Sequence, residues 1–149
     1  MPFRELSCAY RLAAGRARVV AHLAEPANYV GLSPLVVAVR EVRAEEDGLV
    51  RYTAVERFRL LGVLRHDNAI EVSLRVSAAG DAVSGEVRSP AGVRMEYRFE
   101  VADEPSGGPG CLLTDTLRLR APFGLLRFAA SQAASVQRSR GRVLAERLT

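Results

Sequence analysis

Over residues 4–12 apolar and polar positions alternate, with Leu6, Cys8, Tyr10 and Leu12 on one side and Glu5, Ser7, Ala9 and Arg11 on the other. A period of two predicts a half-buried strand. Residues 15–24 switch to helical spacing, with Val19, Val20 and Leu23 on one face, and Pro26 ends that helix or opens a second short one around Ala27 to Leu32. Pro34 closes the helical segment. From Leu35 the pattern becomes strand and turn in repetition. Leu35–Glu45 leads to Asp47-Gly48, a strong hairpin signal, and Leu49–Leu61 leads to a turn expected at His66-Asp67-Asn68. Further strands are expected at Ala69–Ser77, Ala82–Arg88, Val93–Ala102 and Cys111–Arg120, separated by Gly- and Pro-containing turns. After Pro122, which suits a helix N-terminus, only Gly124 and Gly141 weaken a helical reading, so residues 122–148 are expected to form one long helix.

Short hairpin loops force sequential antiparallel neighbours, so strands two to seven should form a meander. The expected fold is α+β, with a seven-stranded curved antiparallel sheet and two short helices between strands one and two. A sheet with one apolar face needs a cover, and only the C-terminal helix is long enough to supply it. The whole chain, 1–149, is read as one domain.

On a wheel of about 100° per residue, Leu125, Leu126, Ala129, Ala133, Val136, Arg140, Val143 and Leu144 face the sheet. The middle of that stripe is small. Small residues opposite a concave sheet leave space, and an apolar void costs stability, so a void that persists reads as a ligand site. The other reading is that Tyr52, Phe58, Tyr97 and Phe99 fill the gap. The inward rows of the strands are otherwise apolar, as in Met95-x-Tyr97-x-Phe99 and Leu113-x-Asp115-x-Leu117. Glu56 and Asp115 interrupt these rows, and Arg140 interrupts the helix stripe. A buried charge is costly unless paired. These three either pair with each other or form the polar end of an apolar pocket, where Arg140 suits a carboxylate or enolate and a carboxyl of raised pKa could move a proton. The candidate pocket is therefore Tyr52, Glu56, Phe58, Met95, Tyr97, Phe99, Asp115, Leu117, Ala129, Ala133, Val136 and Arg140.

Composition narrows the function. Hydrophobic residues make up 48% and charged residues 26% of the 149 residues, a globular balance. The net charge is +4, all 21 basic residues are Arg, and these alternate with apolar positions rather than forming a block. That pattern describes the solvated face of a sheet, so no nucleic-acid partner is expected. Apolar runs are too short to span a bilayer, and the N-terminus has no apolar leader, so a cytoplasmic protein is expected. Cys8 and Cys111 lack CxxC spacing, and His22 and His66 are too few for a metal centre, so neither metal nor cofactor is expected. His22 is placed at a helix flank and His66 at a turn, both solvated. No Ser-His-Asp order or phosphate loop is present.

The segment "RVVAHLAEPANYVGLSPLVVAVREV" (18–42) and the segment "GCLLTDTLRLRAPFGLLRF" (110–128) resemble the opening and closing of the START-like, or birch-pollen-allergen-like, superfamily, which includes polyketide cyclases/dehydrases. The resemblance extends over almost the whole chain and implies a helix-grip fold. The family often carries a Trp in the first helix and before the Pro of the second strand, where this chain has Val20 and Ser33. No catalytic residue set carries over. What the resemblance implies is a small hydrophobic ligand, such as a lipid, polyketide or isoprenoid, between sheet and helix. It also leaves open a cofactor-independent cyclase or dehydratase using pocket carboxylates, and a protein-interaction domain. Oligomeric state stays open.

Overall fold

The structure, a computed structural model, describes residues 2–60 and 64–149. Strand β1 (Phe3–Leu12) is followed by helix α1 (Arg16–Ala24) and a 3-10 turn at Pro26–Tyr29. Strands β2 (Val36–Ala44), β3 (Val50–Leu60), β4 (Leu64–Val76), β5 (Ala82–Arg88), β6 (Arg94–Asp103) and β7 (Cys111–Arg120) then lead to helix α2 (Leu126–Arg147). The strands form one antiparallel sheet in the order β1-β7-β6-β5-β4-β3-β2, the predicted meander with β1 added beside β7. The predicted α+β helix-grip architecture is the one observed.

The turns follow from local chemistry. Asp47-Gly48 closes the β2–β3 hairpin, with Gly48 at φ +83°, where a side chain would be strained. Edge strand β2 is bulged between Arg40 and Arg43, with Glu41 at φ 56°. Such a bulge twists an edge away from further pairing. At the 3-10 turn, the Glu25 carboxylate caps by accepting from the Ala27 amide at 3.3 Å. Arg147, in the last turn of α2, donates to the main-chain carbonyls of Asn28 (2.6 Å) and Val30 (2.9 Å), tying the helix to this segment.

Two boundaries differ from the sequence reading. His66, Asp67 and Asn68 do not form a turn. They lie in β4, paired with Phe58, Arg57 and Glu56 of β3. An Arg57–Asp67 pair of 2.9 and 3.2 Å bridges the two strands on the solvent side, which is why so polar a segment extends as strand. The expected strand end at Leu61 lies outside the described residues. The C-terminal helix starts at Leu126, not at Pro122. Pro122-Phe123-Gly124 is a turn closed by the Leu125 amide on the Pro122 carbonyl (3.0 Å), and Gly124 at φ +93° cannot continue a right-handed helix.

The core lies between the inner sheet face, α1 and α2. Val19 and Leu23 of α1 are fully buried with Leu113, Leu117, Leu119 and Leu144. The buried face of α2 is rotated from the predicted stripe. Ala130, Gln137 and Gly141 are buried with Ala133, Arg140 and Leu144. Gly141 allows this. A Cβ there would overlap the ring of Tyr10 on β1. The Tyr10 hydroxyl donates to the Gln137 carbonyl, and the Gln137 amide donates to the main-chain carbonyls of Asp115 (3.0 Å) and Leu6 (3.4 Å). One side of α2 is thus seated on β1 and β7, and the other side faces the open part of the sheet.

Candidate functional site

That geometry leaves a cavity of about 420 Å³ between α2 and the inner faces of β3 to β7. Eleven of the twelve predicted residues line it: Tyr52, Glu56, Phe58, Met95, Tyr97, Phe99, Leu117, Ala129, Ala133, Val136 and Arg140. Asp115 does not. It is fully buried behind Arg140, whose Nη1 donates to Asp115 Oδ2 at 2.7 Å. The aromatic side chains therefore ring the space and do not fill it. Ala129, Ala133 and Val136 are too short to reach across, so their size on α2 makes the void.

The inner end is aromatic and cationic. The Arg140 guanidinium carbon lies 5.0 Å from the Phe99 ring centroid. Tyr29 and Tyr52 approach with ring centroids 6.5 Å apart, and Tyr97 lies 5.5 Å from Phe99. Burial pushes the hydroxyls of Tyr29, Tyr52 and Tyr97 above the ordinary tyrosine range, with the Arg140 charge pulling the other way. All three are neutral O–H donors. Tyr29 donates to the Leu23 carbonyl at 2.6 Å and Tyr97 to the Ser73 carbonyl at 2.7 Å. Gly85 lets Tyr97 reach across β5, since a Cβ there would meet the Tyr97 hydroxyl at 2.6 Å.

The outer part carries Glu56. Its carboxyl makes no hydrogen bond or ion pair among the described residues, and loss of water pushes its pKa above the ordinary value. Glu56, Asp115 and Arg140 therefore do not form one network: two of them pair and the third stands apart in the cavity wall. Across from Glu56, Asn68 on β4 donates to Ser89 Oγ at 3.2 Å. His66 lies at the rim, exposed. The mouth is flanked by Leu125, at the N-cap of α2, and by Phe128 of α2, 39% and 58% exposed, so apolar surface continues from the cavity to solvent. Sequence reasoning missed Gln137, Ser33, Asn68 and the place of His66 at the rim, although His66 is solvated as expected. The register of β4 places His66 and Asn68, the rotation of α2 places Gln137, and the segment between the 3-10 turn and β2 places Ser33.

A second groove, about 940 Å³ and open, runs over the outer sheet face. Its arginines, among them Arg51, Arg75, Arg88 and Arg118, are interleaved with Glu5, Glu71, Glu86 and Glu96. Exposed pairs such as Arg75–Asp47 (2.9 Å) and Arg118–Glu5 (3.8 Å) offset one another, so this face has no single-sign field. Among the described residues no cluster of three His, Cys, Asp or Glu could hold a metal ion, and no helix is long and apolar enough to cross a membrane.

No protein-family model matches the chain, and no curated protein matches it in sequence. Solved structures do match in shape. The Zhui aromatase/cyclase from a Streptomyces species superposes with a TM-score of 0.80 at 13% identity, over 99% of this chain and 94% of that one. The fold is START-like. A START superfamily protein from Mycobacterium smegmatis superposes with a TM-score of 0.75 at 13% identity, covering 97% of this chain and 96% of its own. The di-domain ARO/CYC BexL gives 0.73 at 14% identity, and there 98% of this chain covers 50% of the other. The START-like resemblance read from residues 18–42 and 110–128 thus holds at the level of the fold.

Proposed function

We propose that the chain binds a small hydrophobic or amphipathic molecule of the lipid, polyketide or isoprenoid class in the cavity between the sheet and α2. The observation that carries this is the 420 Å³ void, walled by aromatic and aliphatic side chains and held open by Ala129, Ala133 and Val136. Apolar walls left facing a space of that size forgo packing that an occupant would supply. The START-like neighbours support the same reading, and residues 1–149 are taken as one domain that does it. The test compares the mass of the purified protein under native and denaturing conditions. A defined extra mass lost on denaturation is the expected result. No extra mass, with no stabilisation by a panel of lipids and aromatic polyketides, would sink the reading.

A second reading is a cofactor-independent cyclase or dehydratase. The desolvated, unpaired Glu56 carboxyl favours it, because burial raises its pKa and so favours the protonated form that an acid-base step would draw on. Turnover of a reactive linear polyketone that is lost in Glu56→Gln would support the enzyme. Unchanged turnover would remove Glu56 from it.

A further inference from the structure

Resting on the ligand-binding reading above, we propose that the cavity selects an uncharged ligand and seats one of its carbonyl or hydroxyl oxygens against Arg140 and Tyr52. Arg140 lines the cavity and is 6% exposed. Asp115 takes a hydrogen bond from Nη1 only. Nε is buried without a partner, and Nη2 makes no hydrogen bond among the described residues. The edge of the guanidinium that can grip one oxygen with two N–H groups is therefore unused. Tyr52, 3% exposed, lines the same end, and its hydroxyl likewise makes no hydrogen bond among the described residues, whereas those of Tyr29 and Tyr97 are both spent on main-chain carbonyls. Leaving the buried Nε without a partner is costly, and a ligand oxygen would satisfy it while also accepting from Nη2 and the Tyr52 hydroxyl.

Charge decides which oxygen. Arg140 is already neutralised by Asp115 at 2.7 Å. The next ionisable group along β3 is Glu56, about 13 Å further on at ~3.3 Å per residue, and it is an acid. A carboxylate ligand would be stripped of water beside a matched ion pair and a second carboxyl, with no unpaired arginine among the described residues that line the cavity and His66 only at its exposed rim. A ketone, ester or phenol oxygen takes the same N–H and O–H donors without that cost. The structure thus assigns the Arg140 edge to oxygen recognition and the Asp115 pairing to the rejection of anions.

Three probes of one shape test this: 2-acetylnaphthalene, 2-ethylnaphthalene and 2-naphthoate. Isothermal titration calorimetry reads the affinity of each probe directly. At pH 7.5 the ketone is expected to bind at least about tenfold more tightly than the carboxylate. In Tyr52→Phe the ketone is expected to lose about three- to tenfold in affinity, while 2-ethylnaphthalene is unmoved. Naphthoate binding as tightly as the ketone, or ketone affinity indifferent to Tyr52→Phe, would overturn the oxygen seat and leave the cavity reading standing. Failure of all three probes to bind would overturn both. The comparison among probes on the unaltered chain needs no variant to fold.

Discussion

Arg140 on α2 and Asp115 on β7 form a buried ion pair at 2.7 Å, with side chains 7% and 0% exposed. The pair fastens the covering helix to the sheet, and it lies directly behind the cavity. Taking two charges out of water is repaid only when both partners remain. Asp115→Asn should therefore cost about 3–5 kcal/mol, read as a lower urea midpoint. Replacing both partners by apolar residues, Asp115→Leu with Arg140→Met, should recover more than half of that loss. A double variant as weak as the single one would mean that the pair does more than cancel its own burial.

Gly141 presents a sign conflict that geometry resolves. In an exposed helix, Gly→Ala gains about 1 kcal/mol. Here the added Cβ would overlap the ring of Tyr10, which is held by its hydrogen bond to the Gln137 carbonyl. Overpacking of this kind costs about 1–3 kcal/mol, so Gly141→Ala should destabilise. In a Tyr10→Ala background the same substitution should become neutral or stabilising. A double-mutant cycle with no coupling would deny the close contact.

How far the sequence could be read is itself a matter of range. The meander was legible because its turns are local: Asp47-Gly48 is decided by adjacent residues. The inward rows of β3, β6 and β7 were legible because strand period is local too, and Tyr52, Glu56, Tyr97 and Phe99 all reach the cavity wall. What was not legible depends on register between distant segments. Asp115 and Arg140 are 25 residues apart, and nothing in either segment says that Arg140 pairs with Asp115 rather than with Glu56. A polar pattern also misled. His66-Asp67-Asn68 reads as a turn until β3 supplies Arg57 as a cross-strand partner. Gly141 reads as helix-weakening and Gln137 lies off the predicted stripe, yet they are the seam on which α2 sits, because polar side chains bury readily when carbonyls are waiting for them.

Ala129 distinguishes a void from a packed core. It is half-buried on the cavity side of α2. Ala129→Leu adds three carbons to the space, worth up to about 2 kcal/mol if the space is there. The ligand-free variant should melt a few degrees higher and should no longer retain a co-purified mass. If the region were filled, the same substitution would lower the melting temperature instead.

Glu56 should make stability fall as pH rises. Burial holds its carboxyl above the ordinary value of 4.5, so the folded chain keeps a proton that the unfolded chain has released. Between the ordinary value and the raised one, the unfolded state binds fewer protons, and stability declines with pH across that window. Besides Tyr29, Tyr52 and Tyr97, whose hydroxyls burial keeps neutral, the other ionisable groups lining the cavity are His66 on β4 and Arg140 on α2, and the latter is engaged with Asp115. Neither makes an ion pair with Glu56 among the described residues. Glu56→Gln keeps the shape and removes the titration. The variant and the unaltered chain should unfold at similar urea concentrations at pH 4, and the variant should be the more stable at pH 8. The reverse result, a variant weaker at pH 8, would mean that Glu56 is ionised and matched by a cation in the folded protein. Its role would then be to hold the wall together rather than to carry a proton into the cavity.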